Sequence, residues 1–108
     1  MYAKYVFGVV ETPTYLRSIA AIWNDDEAAA FVDFVAANPQ AGDVIPGTHG
    51  LRKVRWSRRG AGKRGGTRVI YFVRQSHGQV LLLIAYTKAK FDHLPTEFLA
   101  RLKEQYDV

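Results

Sequence analysis

The chain of 108 residues contains no cysteine, which excludes a disulfide framework, a thiolate nucleophile and a Cys-based zinc site, and fits a reducing compartment. Histidine is scarce: His49, His77 and His93 lie far apart and show no metal-ligand spacing, so neither a metal nor another cofactor is expected. Long hydrophobic runs are missing. Val80 to Tyr86, the longest at 7 residues, is far short of the roughly 20 that a membrane-spanning helix needs, and reads as a strand. The N-terminus carries Lys4 but no apolar core followed by a small-residue cleavage site, so no signal peptide is read and a cytoplasmic protein is expected.

The most informative absence is of negative charge. Between Asp43 and Asp92 there is no acidic residue, yet this stretch holds 11 of the 15 lysines and arginines. The net charge of +5 therefore hides a strongly basic middle and an acidic remainder, a separation that points to an anionic partner for one surface. An apolar fraction of 48% is too high for a disordered basic tail. The charge must sit on a folded body, and the length suits one small domain.

What is present reads as alternating strand and helix signals. Residues 3–10 are rich in β-branched and aromatic types, a first strand. Thr12 and Pro13 supply an N-cap and a first-turn proline, and Leu16, Ile19, Ala20 and Trp23 follow at helical spacing. Asn24 caps a second helix with Glu27 three residues on; Ala28, Phe31, Val32 and Val35 repeat the spacing until Asn38-Pro39 ends it. The two helices are expected to pair as a hairpin. A loop over 40–50 leads to a strand over 51–56, in which Lys53 and Arg55 share one face and Val54 and Trp56 the other. Residues 57–66 form a glycine-rich basic loop. Strands over 67–74 and 79–87 are joined by Ser76-His77-Gly78, and Pro95, Thr96 and Glu97 open a last helix whose Phe98, Leu99, Leu102 and Tyr106 can dock back. The order strand-helix-helix-strand-strand-strand-helix predicts an α+β fold, a small antiparallel sheet with the helices packed against one face.

Two glycine motifs fail on context. Residues 60–65 match G-x-G-x-x-G, but a strand rather than a helix follows and no acid appears before Asp92. Gly62-Lys63 has Arg64 where a phosphate loop requires Ser or Thr. What remains is a basic surface with aromatics interleaved: Arg52, Lys53, Arg55, Trp56, Arg58 and Arg59, then Lys63, Arg64, Arg68, Tyr71, Tyr86, Lys88 and Lys90. Cations neutralise phosphates and exposed rings stack on unpaired bases, a combination suited to single-stranded RNA. For Trp56 and Tyr71 taken singly, a core position is the better expectation. A DNA-binding regulator fits less well, because the predicted helices carry only Arg17, Arg101 and Lys103 as bases.

Such a surface can also be chemical. RNA is cleaved without metal when a 2′-hydroxyl attacks its own phosphodiester, given a base, cations on the phosphorane oxygens and an acid for the leaving oxygen. Arginine is too basic to take the proton. Lysine can when cationic neighbours disfavour its charged form, which is the situation of Lys53 beside Arg52 and Arg55. Arg55 and Arg68 are then the candidate phosphate clamps, and Tyr86 a proton donor or stacking ring.

At these residues the sequence resembles the RelE/HigB superfamily of bacterial toxin endoribonucleases, especially its phage-related HigB-like branch. The resemblance is carried by Val-Val-Glu-Thr-Pro at 9–13, Ala-Asn-Pro-Gln-Ala-Gly-Asp-Val-Ile-Pro-Gly-Thr at 37–48 and Gly-Leu-Arg-Lys-Val-Arg-Trp at 50–56. Gly-Lys-Arg-Gly-Gly-Thr-Arg-Val-Ile-Tyr-Phe at 62–72 and Leu-Leu-Leu-Ile-Ala-Tyr-Thr-Lys at 81–88 continue it. It implies a single RelE-like toxin domain over residues 1–108, an mRNA interferase that cleaves message on the ribosome and inhibits translation. It implies as partner a cognate helix-turn-helix antitoxin of HigA-like type. By position it assigns Lys53, Arg55 and Arg68 to the family's basic catalytic set. RelE-like relatives place an arginine and a tyrosine beyond the last strand, where this chain has Ala89 and Leu94-Pro95; other HigB-like relatives use histidine and aspartate, which Asp92 and His93 match. The general acid is open between Tyr86, Lys88 and His93. Arg52, Arg58, Arg59, Lys63, Arg64, Lys88 and Lys90 are the expected RNA-binding residues. The alternative reading is a non-catalytic RNA-binding or phage-derived protein of the same fold.

Overall fold

A computed structural model describes residues 7–56, 66–88 and 94–107. Its elements are β1 (Gly8–Glu11), α1 (Pro13–Ile19), α2 (Asp25–Ala37), β2 (Asp43–Val44), β3 (Arg52–Trp56), β4 (Thr67–Arg74), β5 (Gln79–Thr87) and α3 (Thr96–Tyr106). The five strands form one sheet in the order β1-β5-β4-β3-β2. The fold class is the expected α+β. The first-strand signal over 3–10 is represented by β1, and the 57–66 loop reading lies outside the described residues except for Gly66.

Three features depart from the sequence reading. β1 pairs parallel with β5, with Gly8 opposite Gln79 and Glu11 opposite Leu82, while the other pairings are antiparallel. Because β1 and β2 occupy opposite edges, the chain between them must cross a whole face of the sheet, and α1 and α2 make that crossing. Asp43 and Val44, expected in a loop, add a two-residue edge strand opposite Lys53 and Arg52. The helices also divide between the faces instead of sharing one. Tyr15, Ile19, Trp23, Phe31 and Val35 pack on the face of Val54, Val69, Tyr71, Val80 and Leu82. Leu99 and Leu102 of α3 pack on the opposite face with Leu51, Ile70, Phe72, Leu81 and Leu83. With both faces covered, β5 is apolar at nearly every position, as its sequence implied.

The helix ends obey their local signals. Thr12 accepts the Tyr15 amide hydrogen on its hydroxyl at 3.2 Å, and Pro13 follows at the first helical position. Asn24 and Glu27 form a reciprocal capping box, at 2.8 and 3.0 Å. The buried stripe of α1, however, runs through Tyr15 and Ile19 and leaves Leu16 47% exposed. Polar docking sets this rotation. The Thr12 hydroxyl donates to the Leu82 carbonyl at 2.7 Å, and the Ser18 hydroxyl accepts the Ala85 amide hydrogen at 2.9 Å. With Ser18 facing β5, Leu16 two positions earlier is on the far side of the helix. In α3 the stripe runs through Leu99, Leu102 and the partly buried Tyr106, leaving Phe98 41% exposed. Arg74 donates to the Tyr106 carbonyl and to Asp107, pinning the helix end to β4. The hydrogen bond from Lys103, with Arg74 reinforcing it, holds the Asp107 carboxyl below the usual carboxylate range.

Tyr71 shows why the loop after α2 lies where it does. The ring is fully buried, its hydroxyl donates to the Pro39 carbonyl at 2.9 Å, and it accepts the Gly42 amide hydrogen at 2.8 Å. Arg52 donates to the Gly42 carbonyl at 2.7 Å. Gly42 lies so close to β3 that a Cβ there would meet the Lys53 carbonyl group at 2.9 Å, a contact with backbone that cannot swing away. Gly42→Ala is expected to cost about 1–3 kcal/mol through this overlap, seen as a lower urea midpoint at unchanged slope.

Burial pushes the phenols of Tyr15, Tyr71 and Tyr86 up from their ordinary value. A raised phenol stabilises the fold fully below the ordinary tyrosine pKa of about 10. Above it the unfolded chain ionises while the folded chain does not, so stability is lost as pH rises towards the folded-state values. Urea titrations are expected to give constant stability from pH 8 to 9, as far as tyrosine contributes, and a fall beyond pH 10 that Tyr71→Phe reduces.

Candidate nucleic-acid interface

The basic face is built by strand register. Arg55 of β3 is directly opposite Arg68 of β4, and Arg68 is directly opposite Tyr86 of β5. One step along, Lys53 is opposite Ile70, and Ile70 opposite Ile84. Side chains directly across a ladder have Cβ atoms about 4.5–5.5 Å apart, so Arg55, Arg68 and Tyr86 form a continuous row with Lys53 beside it. This is the face that Ile70 and Phe72 share with α3. The sequence's alternation placed Lys53 with Arg55; the register adds Arg68 and Tyr86.

Tyr86 reaches that row only because the β4–β5 ladder contains a bulge. Ile70 is opposite Ile84, yet the next residue, Tyr71, is opposite Leu82, so Leu83 is an extra residue in β5. Val80 and Leu82 face α1 and α2, whereas Leu83, Ile84 and Tyr86 all belong to the α3 face. An unbroken alternation puts Tyr86 with Val80 and Leu82. Nothing in the apolar run from 80 to 86 marks where the extra residue falls, so the bulge is not legible in the sequence.

Burial grades along the row. Tyr86 is 4% and Arg68 7% exposed, Lys53 is half-buried and Arg55 is exposed. Arg68 donates one hydrogen bond, from Nη1 to the Gly66 carbonyl at 2.9 Å. Among the described residues no carboxylate pairs with it. A guanidinium withdrawn from water with a backbone carbonyl as its fixed partner leaves donors and an uncompensated charge directed at its surroundings, conditions that favour an anion. Burial raises the pKa of the Tyr86 phenol, and the positive charge of Arg68 offsets part of that rise; the hydroxyl thus keeps its proton at neutral pH. Together these groups can grip a phosphate and donate a proton beside it. Among the described residues no group of three or more His, Asp or Glu side chains is placed to hold a metal ion.

The other expected site residues are placed differently. Arg52 points to the opposite face, where it binds the Gly42 carbonyl beside Tyr71, and Tyr71 belongs to the core. Trp56 packs in an aromatic cluster with Phe31 and Phe34, ring centroids 5.6 and 4.6 Å away. Lys88 is exposed just beyond β5. Arg58, Arg59, Lys63, Arg64, Lys90 and His93, with Asp92, lie outside the described residues. Sequence reasoning missed a cleft of about 360 Å³ on the outer side of β5, walled by Tyr86 and Ile84 on one side and by Ser18 and Ile22 on the other. Its walls come from segments more than sixty positions apart, so no local pattern announces it.

No family model matches the chain. Solved structures do. It superposes on E. coli toxin RelE, an arginine-to-alanine double mutant in the free state, with a TM-score of 0.61 at 13% identity over 89% of this chain and 95% of that one. The fold is RelE-like. A chain of the toxin–antitoxin complex RelBE2 from Mycobacterium tuberculosis matches with a TM-score of 0.58 at 19% identity, over 76% of this chain and 98% of that one. Within this RelE-like sheet the acids Asp25, Asp26 and Asp33 are exposed on α2, across the sheet from Lys53, Arg55 and Arg68. No helix among the described residues is long and apolar enough to cross a membrane.

The placement of the two arginines of β3 separates their expected effects on binding a single-stranded oligonucleotide. Arg55→Ala is expected to lower the slope of log affinity against log salt by about 1, as loss of one phosphate contact does. Arg52→Ala is expected to leave that slope unchanged and to lower thermal stability instead. Titrations at several salt concentrations with parallel melting curves measure both.

Proposed function

We propose that this protein is the toxin of a RelE/HigB-type toxin–antitoxin pair, a metal-independent mRNA endoribonuclease that acts on the ribosome in the cytoplasm and so inhibits translation. The observation that carries the reading is the row Arg55, Arg68, Tyr86 with Lys53 beside it, in which a nearly buried arginine faces a protonated phenol. The sequence resemblance at 50–56 and 62–72 and the RelE-like fold support it.

In the proposed reaction Lys53 accepts the proton of the 2′-hydroxyl, and the freed oxygen attacks the adjacent phosphorus. Arg55 and Arg68 stabilise the negative charge that builds on the non-bridging oxygens, where fixed cations act most strongly. The bond from phosphorus to the 5′-oxygen breaks, and that oxygen takes the Tyr86 proton, leaving a 2′,3′-cyclic phosphate and a 5′-hydroxyl. Tyr86 is preferred to Lys88 and His93 as the acid because it stands in the row and burial keeps its proton in place. Arg58, Arg59, Lys63, Arg64, Lys88 and Lys90 hold ribosomal or messenger phosphate. A HigA-like antitoxin with a helix-turn-helix domain blocks the basic face or the approach to the ribosome.

Translating ribosomes supplied with a defined mRNA test the reading by mapping of new 3′ ends. Cuts are expected that require ribosomes and survive a chelator. Lys53→Ala and Arg68→Ala are expected to reduce them about 10²–10³-fold or more, and Tyr86→Phe about 10²–10⁴-fold as loss of a general acid. Binding without cuts in the wild type favours a non-catalytic RNA-binding protein. Cuts undiminished in all three variants remove the site assignment.

A further inference from the structure

β1 covers the edge of β5 only as far as Leu82. Beyond it the edge is flanked by α1 and the turn after it, leaving the cleft of about 360 Å³, within the range of roughly 300–1,000 Å³ typical of small-ligand sites. We propose that this cleft is a nucleobase subsite that receives a base flanking the cleaved phosphate and gives the nuclease a sequence preference. The inference rests on the toxin reading for its substrate and goes beyond it in assigning a recognition function outside the basic row.

Position is the first argument. Tyr86 is at once a wall of the cleft and the end of the row with Arg68 and Arg55. A nucleotide whose phosphate lies over that row has its neighbour within reach of the cleft. The lining chemistry is the second. Ile22, Ile84 and Leu94 supply apolar walls for a flat ring, and Arg17 stands at the cleft as a cation for the phosphate chain. Arg17 lies outside the basic middle of the sequence.

β5 also offers a polar edge. The Ala85 amide donates outward to Ser18 at 2.9 Å, away from β4. Carbonyl and amide of one strand residue point the same way, and the direction repeats every second residue. The Ala85 carbonyl and the Thr87 amide and carbonyl therefore face the cleft side. The amide and carbonyl of Thr87 stand next to each other on that side, as donor and acceptor do on the hydrogen-bonding edge of a base. A peptide strand from another protein is the competing occupant. Ser18 already holds the Ala85 amide hydrogen, so an incoming strand meets an occupied donor where its own ladder has to begin. A compact heterocycle needs no continuous ladder.

The test uses the full chain with Ala21→Phe, which puts a ring into the cleft from an exposed turn position, and Arg17→Ala, which removes its cation from an exposed helix position. In amide NMR titrations with the four nucleoside 5′-monophosphates, Ala85 and Thr87 resonances are expected to shift saturably in the wild type. One base should bind best. Ala21→Phe should weaken this at least about tenfold and Arg17→Ala several-fold, with the rest of the spectrum preserved. On translating ribosomes, both variants are expected to give a flattened base distribution around the cut sites. Wild-type cutting with both variants keeping the wild-type distribution overturns the subsite while leaving the toxin reading intact. No wild-type cutting, with the nucleotide shifts present, overturns the toxin reading and leaves nucleotide binding by the cleft. If Ala21→Phe cuts with unchanged preference yet escapes its antitoxin in a growth assay, the occupant is a peptide and the proposal falls.

Discussion

The constraint on which the rest depends is the single extra residue, Leu83, in the ladder between β4 and β5. Up to Leu82, β5 alternates in the sense that the α1–α2 core requires. After Leu83 the alternation is inverted, and Tyr86 emerges on the face of Arg55 and Arg68. A bulge of this kind bends the strand and increases its local twist. Here it also coincides with the end of β1 pairing, so the newly exposed edge falls to Thr12 and Ser18 of α1. Two hydroxyls thus replace the missing neighbour strand, satisfying backbone groups whose isolation would cost about 1–3 kcal/mol each. They also fix the rotation of α1 and with it the cleft.

The two sides of the sheet differ in charge only in part. The α2 side carries exposed Asp25, Asp26 and Asp33 but also Arg52 beside Tyr71. The other side carries Arg55 and Arg68, with Lys53 opposite the exposed Asp43 and with Glu97 and Glu104 exposed on α3. α3 covers the part of this face around Phe72, Leu81 and Leu83, and Arg55 beyond it is exposed.

Local signals were readable where one residue decides the geometry. Thr12 with Pro13, Asn24 with Glu27, and the turn at Gly78 with its φ of 60° mark element ends in the sequence, and β4 and β5 run over the expected residues. The shared face of Lys53 and Arg55 followed from a period of two. What escaped depends on partners distant in sequence. Parallel pairing of β1 with β5 has no local signature. The face chosen by α3 is invisible when both faces of β5 are equally apolar. Leu16 and Phe98 look like core until Ser18 and Leu99 are seen to set the helix rotation. Arg52 reads as one more base in a basic strand, but its register opposite Tyr71 turns it towards the Gly42 carbonyl.

The pairing of Gly8 with Gln79 also sets an order of events during synthesis. The strand made first has to wait for the strand made last, and the loop-closure entropy of so long a connection is spent before the contact repays it. The antiparallel ribbon of β3 and β4 can form earlier, bringing Arg55 beside Arg68, but Tyr86 joins the row only when β5 has left the ribosome. A chain still being translated therefore holds Arg55 and Arg68 together without Tyr86. Assembly of the full row is a late folding step, coupled to the same strand that anchors the N-terminal edge of the sheet.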